Sequence, residues 1–144
     1  TDLFYYNIET QEESKLRSAI ISAPSWHPSG KIIYYSKKAK FPNKYGSRFY
    51  DIYSYEVDSE SEKRLTYDSR GFNPVYIPKD SSIAYLATYD GGLDIYMLDL
   101  KTNKSHKISD FKNRPILSHL SYDKNSHALF FDITSHHYNN KIHD

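Results

Sequence analysis

Hydrophobic positions along this chain fall in short groups separated by polar turns, and the whole arrangement recurs at a long period. Aspartate followed by apolar and aromatic residues opens residues 2–9, 51–57 and 94–100, and Asp144 stands where another copy would begin. These aspartates are 43 to 50 residues apart. Each interval continues through a polar turn, a short strand, a third strand, a second turn and a strongly apolar strand. Four short strands per repeat predict an antiparallel β array.

The last strand of each repeat departs from simple alternation. Residues 32–35 and 129–131 are apolar at every position, so both faces of these strands should be covered by protein. A propeller blade is a small twisted sheet packed between two neighbours, which supplies that cover. The pattern therefore predicts an all-β chain made of four-stranded antiparallel β-propeller blades.

One segment also fits a helix. Residues 10–13 match a capping box, and apolar side chains within residues 16–20 could line one helical face. The corresponding places in the other repeats, residues 63–66 and 106–109, have the pattern of short strands. We therefore predict a strand here and keep the helix as the alternative.

Composition narrows the classes of function. The 19 Lys and Arg and 18 Asp and Glu are interspersed and leave a net charge of +1, which argues against nucleic-acid binding. The absence of cysteine excludes disulfides and thiolate metal sites. No apolar run approaches the roughly 18 residues of a spanning helix, so we expect no insertion into a membrane. The 15 Tyr and 7 Phe favour strands.

Several motifs within the repeats have a recognisable form. Arg-Leu-Thr at residues 64–66 precedes Asn-Pro-Val-Tyr-Ile-Pro at residues 73–78, and Pro-Ser-Trp-His-Pro-Ser-Gly-Lys occupies residues 24–31. These motifs resemble the WD40-like repeats of the TolB-type β-propeller family over nearly the whole chain. The third repeat departs most, because Ser118 stands for the proline and Leu120 for the aromatic residue.

The resemblance implies a single partial propeller domain over residues 1–144, with repeats at about 2–50, 51–93 and 94–143. Counted by its strands, the chain contains two whole four-stranded blades with half a blade at each end. Propellers of the family commonly have six or more blades of about 45 residues, so we expect a piece of a longer propeller. The alternative is that two or more chains complete the ring together. The packing faces left open at the two ends predict self-association.

The resemblance also places the functional loops at one end of the blades, around the central channel. Arg70 and Arg114 each lie four residues before the motif positions Pro74 and Ser118, and their guanidinium groups could engage a carboxylate or an extended peptide. Pairing with Asp68 or Asp110, or plain solvation, is an equal alternative. The residues predicted to bind a protein or peptide partner are Arg70, Phe72, Asn73, Tyr89, Asp90 and Arg114.

No catalytic set, metal site or cofactor site is predicted. The cluster of His136, His137, His143 and Asp144 suggests zinc, but adjacent residues on an extended strand point in opposite directions, so a polar loop is preferred. The two glycines at residues 91–92 lack the following helix of a phosphate loop.

The predicted function is a non-catalytic platform for a protein or peptide, within a larger bacterial envelope protein. The periplasmic or envelope location is implied by the resemblance alone. The alternative is the gating propeller of a prolyl-oligopeptidase-like serine peptidase whose hydrolase domain lies outside this sequence. A sugar- or lyase-type propeller enzyme is a third class, but it needs a metal or paired carboxylates on the channel, which the sequence does not provide.

Overall fold

The computed structural model describes residues 1–89, 91–111 and 115–134 of the chain. This part contains twelve β-strands and no helix. The strands are β1 Leu3–Tyr6, β2 Glu13–Arg17, β3 Ser25–Trp26, β4 Ile32–Lys38, β5 Tyr50–Glu56, β6 Ser61–Arg64, β7 Phe72–Ile77, β8 Ser82–Ala87, β9 Asp94–Asp99, β10 Lys104–Lys107, β11 Ile116–Asp123 and β12 Ala128–Thr134.

The strands form four antiparallel sheets in which neighbours in sequence are neighbours in space. Strands β3 to β6 make one four-stranded sheet and β7 to β10 make another, while β1–β2 and β11–β12 are two-stranded. This confirms the prediction of two whole blades flanked by two half-blades. The segment that also fitted a helix is a strand, as predicted, because Glu13–Arg17 forms β2 and pairs with β1.

The core lies between the sheets, in three clusters that follow the alternation of side chains along each strand. All six residues of β8 are buried. Ile83, Tyr85 and Ala87 pack toward the preceding four-stranded sheet, whereas Ala84 and Leu86 pack toward β11. A strand covered on both faces has no need of polar alternation. The prediction of two covered faces is confirmed for residues 32–35, where Tyr34 packs into one cluster and Ile33 and Tyr35 pack into another.

The same expectation is wrong for residues 129–131. Leu129 and Phe131 pack into the third core cluster, but the ring of Phe130 is 57% exposed. Strand β12 belongs to the last sheet that the structure describes, so its outer face has no neighbouring sheet there.

Strand pairing corrects the alignment of the third repeat. In β7 a bulge separates the pairs Phe72–Leu86 and Val75–Ala84, and in β11 a bulge separates Ser118–Asp132 and Ser121–Phe130. Ser118 therefore takes the place of Phe72 rather than that of Pro74. Leu120 takes the proline position and Tyr122 the aromatic position. The prediction was wrong by two residues because the connection before β11 is longer than the connection before β7. In this register Ile116, not Arg114, corresponds to Arg70, so the two predicted arginines do not occupy equivalent positions.

Glu62 on β6 links the first half-blade to the first whole blade. Its carboxylate lies 3.2 Å from Arg17 Nε and 2.7 Å from Lys37 Nζ, and it accepts a hydrogen bond from the Tyr35 hydroxyl. Burial opposes ionisation of Glu62, but the hydrogen bonds from Lys37 and Tyr35 and the nearby positive charges outweigh it. The pKa of Glu62 is therefore held below its usual value of 4.5.

This lowered pKa predicts a pH dependence of stability. Because Glu62 is more acidic folded than unfolded, the stability from its ionised form is fully present above about pH 4.5 and is lost as the pH falls through the lower folded pKa. We expect the difference in free energy of unfolding between wild type and Glu62→Gln to shrink over that range. Urea unfolding from about pH 6 to about pH 3 measures it. A pH-independent difference contradicts the assignment.

Candidate partner-binding face

Asp51 fixes the connection that carries the first of the predicted binding residues. Its side chain is fully buried at the start of β5. Oδ1 accepts hydrogen bonds from Thr66 Oγ1 at 2.9 Å and from the Ser69 backbone N–H at 3.0 Å. Oδ2 accepts one from Arg64 Nη2 at 2.6 Å. A buried carboxylate with several charge-assisted partners holds residues 64–69 in one conformation against the end of the blade.

The same arrangement recurs in the other repeats. Asp94 Oδ1 accepts from Ser109 Oγ at 2.8 Å, and Lys107 Nζ lies 3.5 Å from Asp94 Oδ2. At the start of the chain, Lys15 Nζ lies 2.6 Å from Asp2 Oδ2. In all three cases the cation stands 13 residues after the aspartate. That spacing was visible in the sequence, where the aspartates served only as repeat markers.

Gly71 carries the connection through the gap between the two whole blades. Its N–H donates to the Tyr50 carbonyl at 3.0 Å, and its own carbonyl accepts from Ser36 Oγ at 2.5 Å. A Cβ atom here would lie 2.8 Å from Ser69 Oγ and 3.0 Å from Tyr85 Cδ2. Only glycine fits without displacing these neighbours, so the backbone next to Arg70 is held on both sides.

Arg70 is exposed and does not form the ion pair with Asp68 that was its alternative. Its guanidinium carbon lies 4.3 Å from the centre of the Phe49 ring, a cation–π contact that leaves its N–H groups accessible. Asp68 instead has a carboxylate oxygen 3.8 Å from Arg64. In the described part of the chain, no ion pair includes Arg70.

The other predicted residues lie in different settings. Phe72 is half-buried against the third core cluster. Asn73 sits in the β7 bulge with φ of 48°, and its N–H donates to Ser22 Oγ at 2.9 Å. Tyr89 is 43% exposed, and its hydroxyl lies 3.3 Å from that of Tyr85. Asp90 and Arg114 lie outside the described residues.

A groove of about 220 Å³ runs across the innermost strands β3, β7 and β11. Ser25, Asn73, His119 and Ser121 are among its lining residues, beside proline, valine and leucine. Ser25 Oγ already accepts the Tyr76 N–H at 3.0 Å, and His119 Nδ1 lies 2.7 Å from Asp132 Oδ2, so the Ser25 O–H and the second ring nitrogen of His119 are left for a ligand. Such groups can hydrogen-bond a peptide backbone. Asn73 is the one predicted residue in this lining. Ser25, His119 and Ser121 were not predicted, because the resemblance places function in the loops and these residues lie on the inner strands β3 and β11.

Neither a metal centre nor a membrane span is found in the described ranges. No three histidine or acidic side chains there are placed to hold a metal ion. No helix among the described residues has the length and apolar character needed to cross a membrane. The histidine cluster at residues 136, 137 and 143 falls outside them.

Comparison with solved structures shows which fold the chain has. TolB from Acinetobacter baumannii superposes with a TM-score of 0.72 over 90% of this chain, at 16% sequence identity. A putative TolB from Agrobacterium tumefaciens superposes at 0.57 over 72% of the chain, at 24% identity. The chain has a TolB-like β-propeller fold. It covers 31% and 35% of those two proteins.

Peptidase propellers share this TolB-like fold. The β-propeller domain of the Trilobed protease from Pyrococcus furiosus superposes with a TM-score of 0.56 over 78% of the chain, at 20% identity, and the chain covers 33% of it. Acylaminoacyl peptidase from Pyrococcus horikoshii gives 0.52 over 75%, at 21% identity, with 16% of that chain covered. No family model matches the sequence, and no curated protein does.

Proposed function

We propose that this propeller segment is a non-catalytic platform that binds a protein or an extended peptide at the channel end of its blades, which is the end that carries the connection between β6 and β7. The observation that carries the proposal is the groove across three inner strands, with Asn73 in its lining and Arg70 three residues before it. We further propose that the chain belongs to a larger bacterial protein of the periplasm or cell envelope, as the TolB-like fold suggests.

The geometry favours recognition of an extended chain. A peptide backbone alternates donors and acceptors, and the groove offers hydroxyl, amide and imidazole groups from three successive inner strands. Arg70 adds a guanidinium group held by Phe49, whose N–H groups can receive a carboxylate from an acidic side chain or a chain terminus. Binding residues on connections fixed by a rigid scaffold are the usual arrangement in propellers.

Replacing Arg70 by alanine tests the proposal. We expect affinity capture of an envelope partner by the wild-type chain, and binding weakened roughly tenfold by Arg70→Ala, because one charge-assisted hydrogen bond is lost. The measurement is a titration of the captured partner against each variant. Arg114→Ala extends the test to the other predicted arginine.

Lys79→Ala is the matched control. Lys79 is an exposed cation in the turn between β7 and β8, at the opposite end of the blade, so its loss should leave binding unchanged. Equal binding by wild type and Arg70→Ala contradicts the channel-end site. A loss shared equally by Lys79→Ala points instead to general electrostatic attraction.

The likeness to two peptidase propellers favours a second function, the gating propeller of a serine peptidase. In that case the channel end admits a substrate peptide to a separate hydrolase domain. The parent gene decides between the two. A Gly-x-Ser-x-Gly nucleophile motif in an adjoining α/β-hydrolase domain supports the peptidase, and an adjoining peptidoglycan- or outer-membrane-binding domain supports the platform.

A further inference from the structure

The connection between β4 and β5 concentrates positive charge. Residues 37–50 contain no aspartate or glutamate, although the chain as a whole has a net charge of only +1. The cations in this stretch are Lys37, Lys38, Lys40, Lys44 and Arg48. Lys37 is already paired with Glu62, and the other four are exposed. A local patch of one sign favours an anionic partner.

This connection is longer than its counterpart and has a defined conformation. It spans residues 39–49, whereas the corresponding connection between β8 and β9 spans residues 88–93. Asn43 Oδ1 accepts the N–H groups of Tyr45 and Ser47, each at 3.0 Å. Arg48 Nε donates to the Ala39 carbonyl at 2.8 Å, which closes the base of the loop. The extra residues therefore form a fixed hairpin at the channel end of the blade.

Two large aromatic rings are left in solvent by this hairpin. Phe41 is 70% exposed and Tyr45 is 78% exposed. Each lies under the ammonium group of the preceding lysine, at 5.2 Å for Lys40 and 4.9 Å for Lys44. Exposed aromatic rings with adjacent lysines are typical of segments that lie at the membrane–water interface.

A neighbouring connection extends the surface. Asn43 Nδ2 donates to Asp68 Oδ2 at 3.1 Å, which brings the hairpin beside the connection between β6 and β7. Tyr67 there is 70% exposed, with the Arg64 guanidinium carbon 4.6 Å from its ring centre. The combination again places a ring under a cation. We call the hairpin with Tyr67 the basic–aromatic surface.

We propose that the basic–aromatic surface adsorbs to an anionic lipid bilayer, with Phe41 and Tyr45 entering the headgroup layer and the lysines neutralising lipid charge. Lysine favours lipid over protein as the partner, because lysine is depleted in protein interfaces. At a bilayer its flexible stem lies along apolar surface while its ammonium group reaches the headgroups. This adsorption needs no spanning segment, and it would hold the channel end of the blades close to the bilayer.

Vesicle flotation tests the proposal with the full chain. We expect the chain to float with vesicles of phosphatidylcholine containing roughly 30% phosphatidylglycerol and not with pure phosphatidylcholine. Each lysine near such a surface contributes about fivefold to partitioning, so the triple variant K38Q/K40Q/K44Q should bind on the order of 100-fold more weakly. The double variant F41A/Y45A keeps the charge and should also lose binding. Aggregated chain pellets rather than floats, so it does not imitate binding.

A matched charge control uses lysines elsewhere. Lys101, Lys104 and Lys124 are exposed in turns or at a strand start away from the hairpin, so the triple variant K101Q/K104Q/K124Q has the same net charge as the loop variant. It should float almost as wild type does. Equal losses in the two triple variants overturn the site, since net charge alone would then govern binding.

Fluorescence distinguishes a lipid surface from another polyanion. Trp26 is the single tryptophan of the chain, so Tyr45→Trp in a Trp26→Phe background reports on the hairpin alone. We expect a blue shift with anionic vesicles and quenching by brominated acyl chains. Binding to heparin or single-stranded DNA, with neither blue shift nor quenching on vesicles, overturns the lipid assignment. Absence of flotation with anionic vesicles overturns it as well.

Discussion

Replacing Asp51 by alanine is expected to lower the free energy of unfolding by about 3 kcal/mol. The carboxylate is fully buried and accepts hydrogen bonds from Thr66, Ser69 and Arg64. Its removal takes a buried acceptor from the Thr66 hydroxyl, from the Ser69 hydroxyl and backbone N–H, and from the Arg64 guanidinium group. Urea unfolding followed by circular dichroism measures the loss.

The same substitution at the other two aspartates allows the loss of stability to be compared within one chain. Asp94→Ala should cost less, because Lys107 is 3.5 Å away instead of the 2.6 Å between Arg64 and Asp51. Asp2→Ala should cost least, because the Asp2 side chain is 37% exposed and its pair with Lys15 is screened by water. A loss for Asp51→Ala no larger than that for Asp2→Ala contradicts the role assigned to the buried carboxylate.

Replacing Tyr85 by alanine is expected to cost about 4 kcal/mol. The side chain is fully buried between the two whole blades, where it packs with Tyr96 and beside Gly71. Removing the ring leaves a cavity at the interface that holds the blades together, and the flanking strands can close it only in part. Thermal or urea unfolding of the variant gives the cost directly.

Tyr85→Phe is the matched control for the ring. It keeps the packing and removes only the hydroxyl, which lies 3.3 Å from that of Tyr89. We expect a loss of about 1 kcal/mol, the usual net worth of a hydrogen bond. If the alanine and phenylalanine variants are equally stable, the packing of the ring contributes little and the interface must be held elsewhere.

The fold was predictable because its signals are local and repeated. Short apolar strands such as residues 83–87 and polar turns such as residues 58–61 recur at one period, so each repeat supports the interpretation of the others. The segment at residues 13–17 shows the benefit, since its capping-box pattern alone would have favoured a helix. The position it shares with residues 63–66 correctly favoured a strand.

Other features depended on pairing and contacts across the sheets, which no local pattern specifies. The register of β11 was set by a bulge and by a longer preceding connection, and this moved Tyr122 rather than Leu120 into the aromatic position. The groove draws Ser25 and His119 together from strands far apart in sequence. The predicted binding residues on the connections stay predictions. The sequence of residues 39–49 does not show that the rings of Phe41 and Tyr45 are exposed to solvent, because that depends on the conformation of the hairpin.

A sequence repeat does not begin and end where a sheet does. This offset affects how such a chain can gain or lose a blade. A period that runs from Asp51 to the residue before Asp94 contains the last two strands of one sheet and the first two of the next. Asp51 faces Lys37 on β4, and Asp94 faces Ala87 at the corresponding place on β8. Loss of one period would therefore join β4 to β9 in an equivalent register, with another aspartate at the same position. Unequal recombination between repeats can thus add or remove a blade at any phase of the gene without leaving an incomplete sheet.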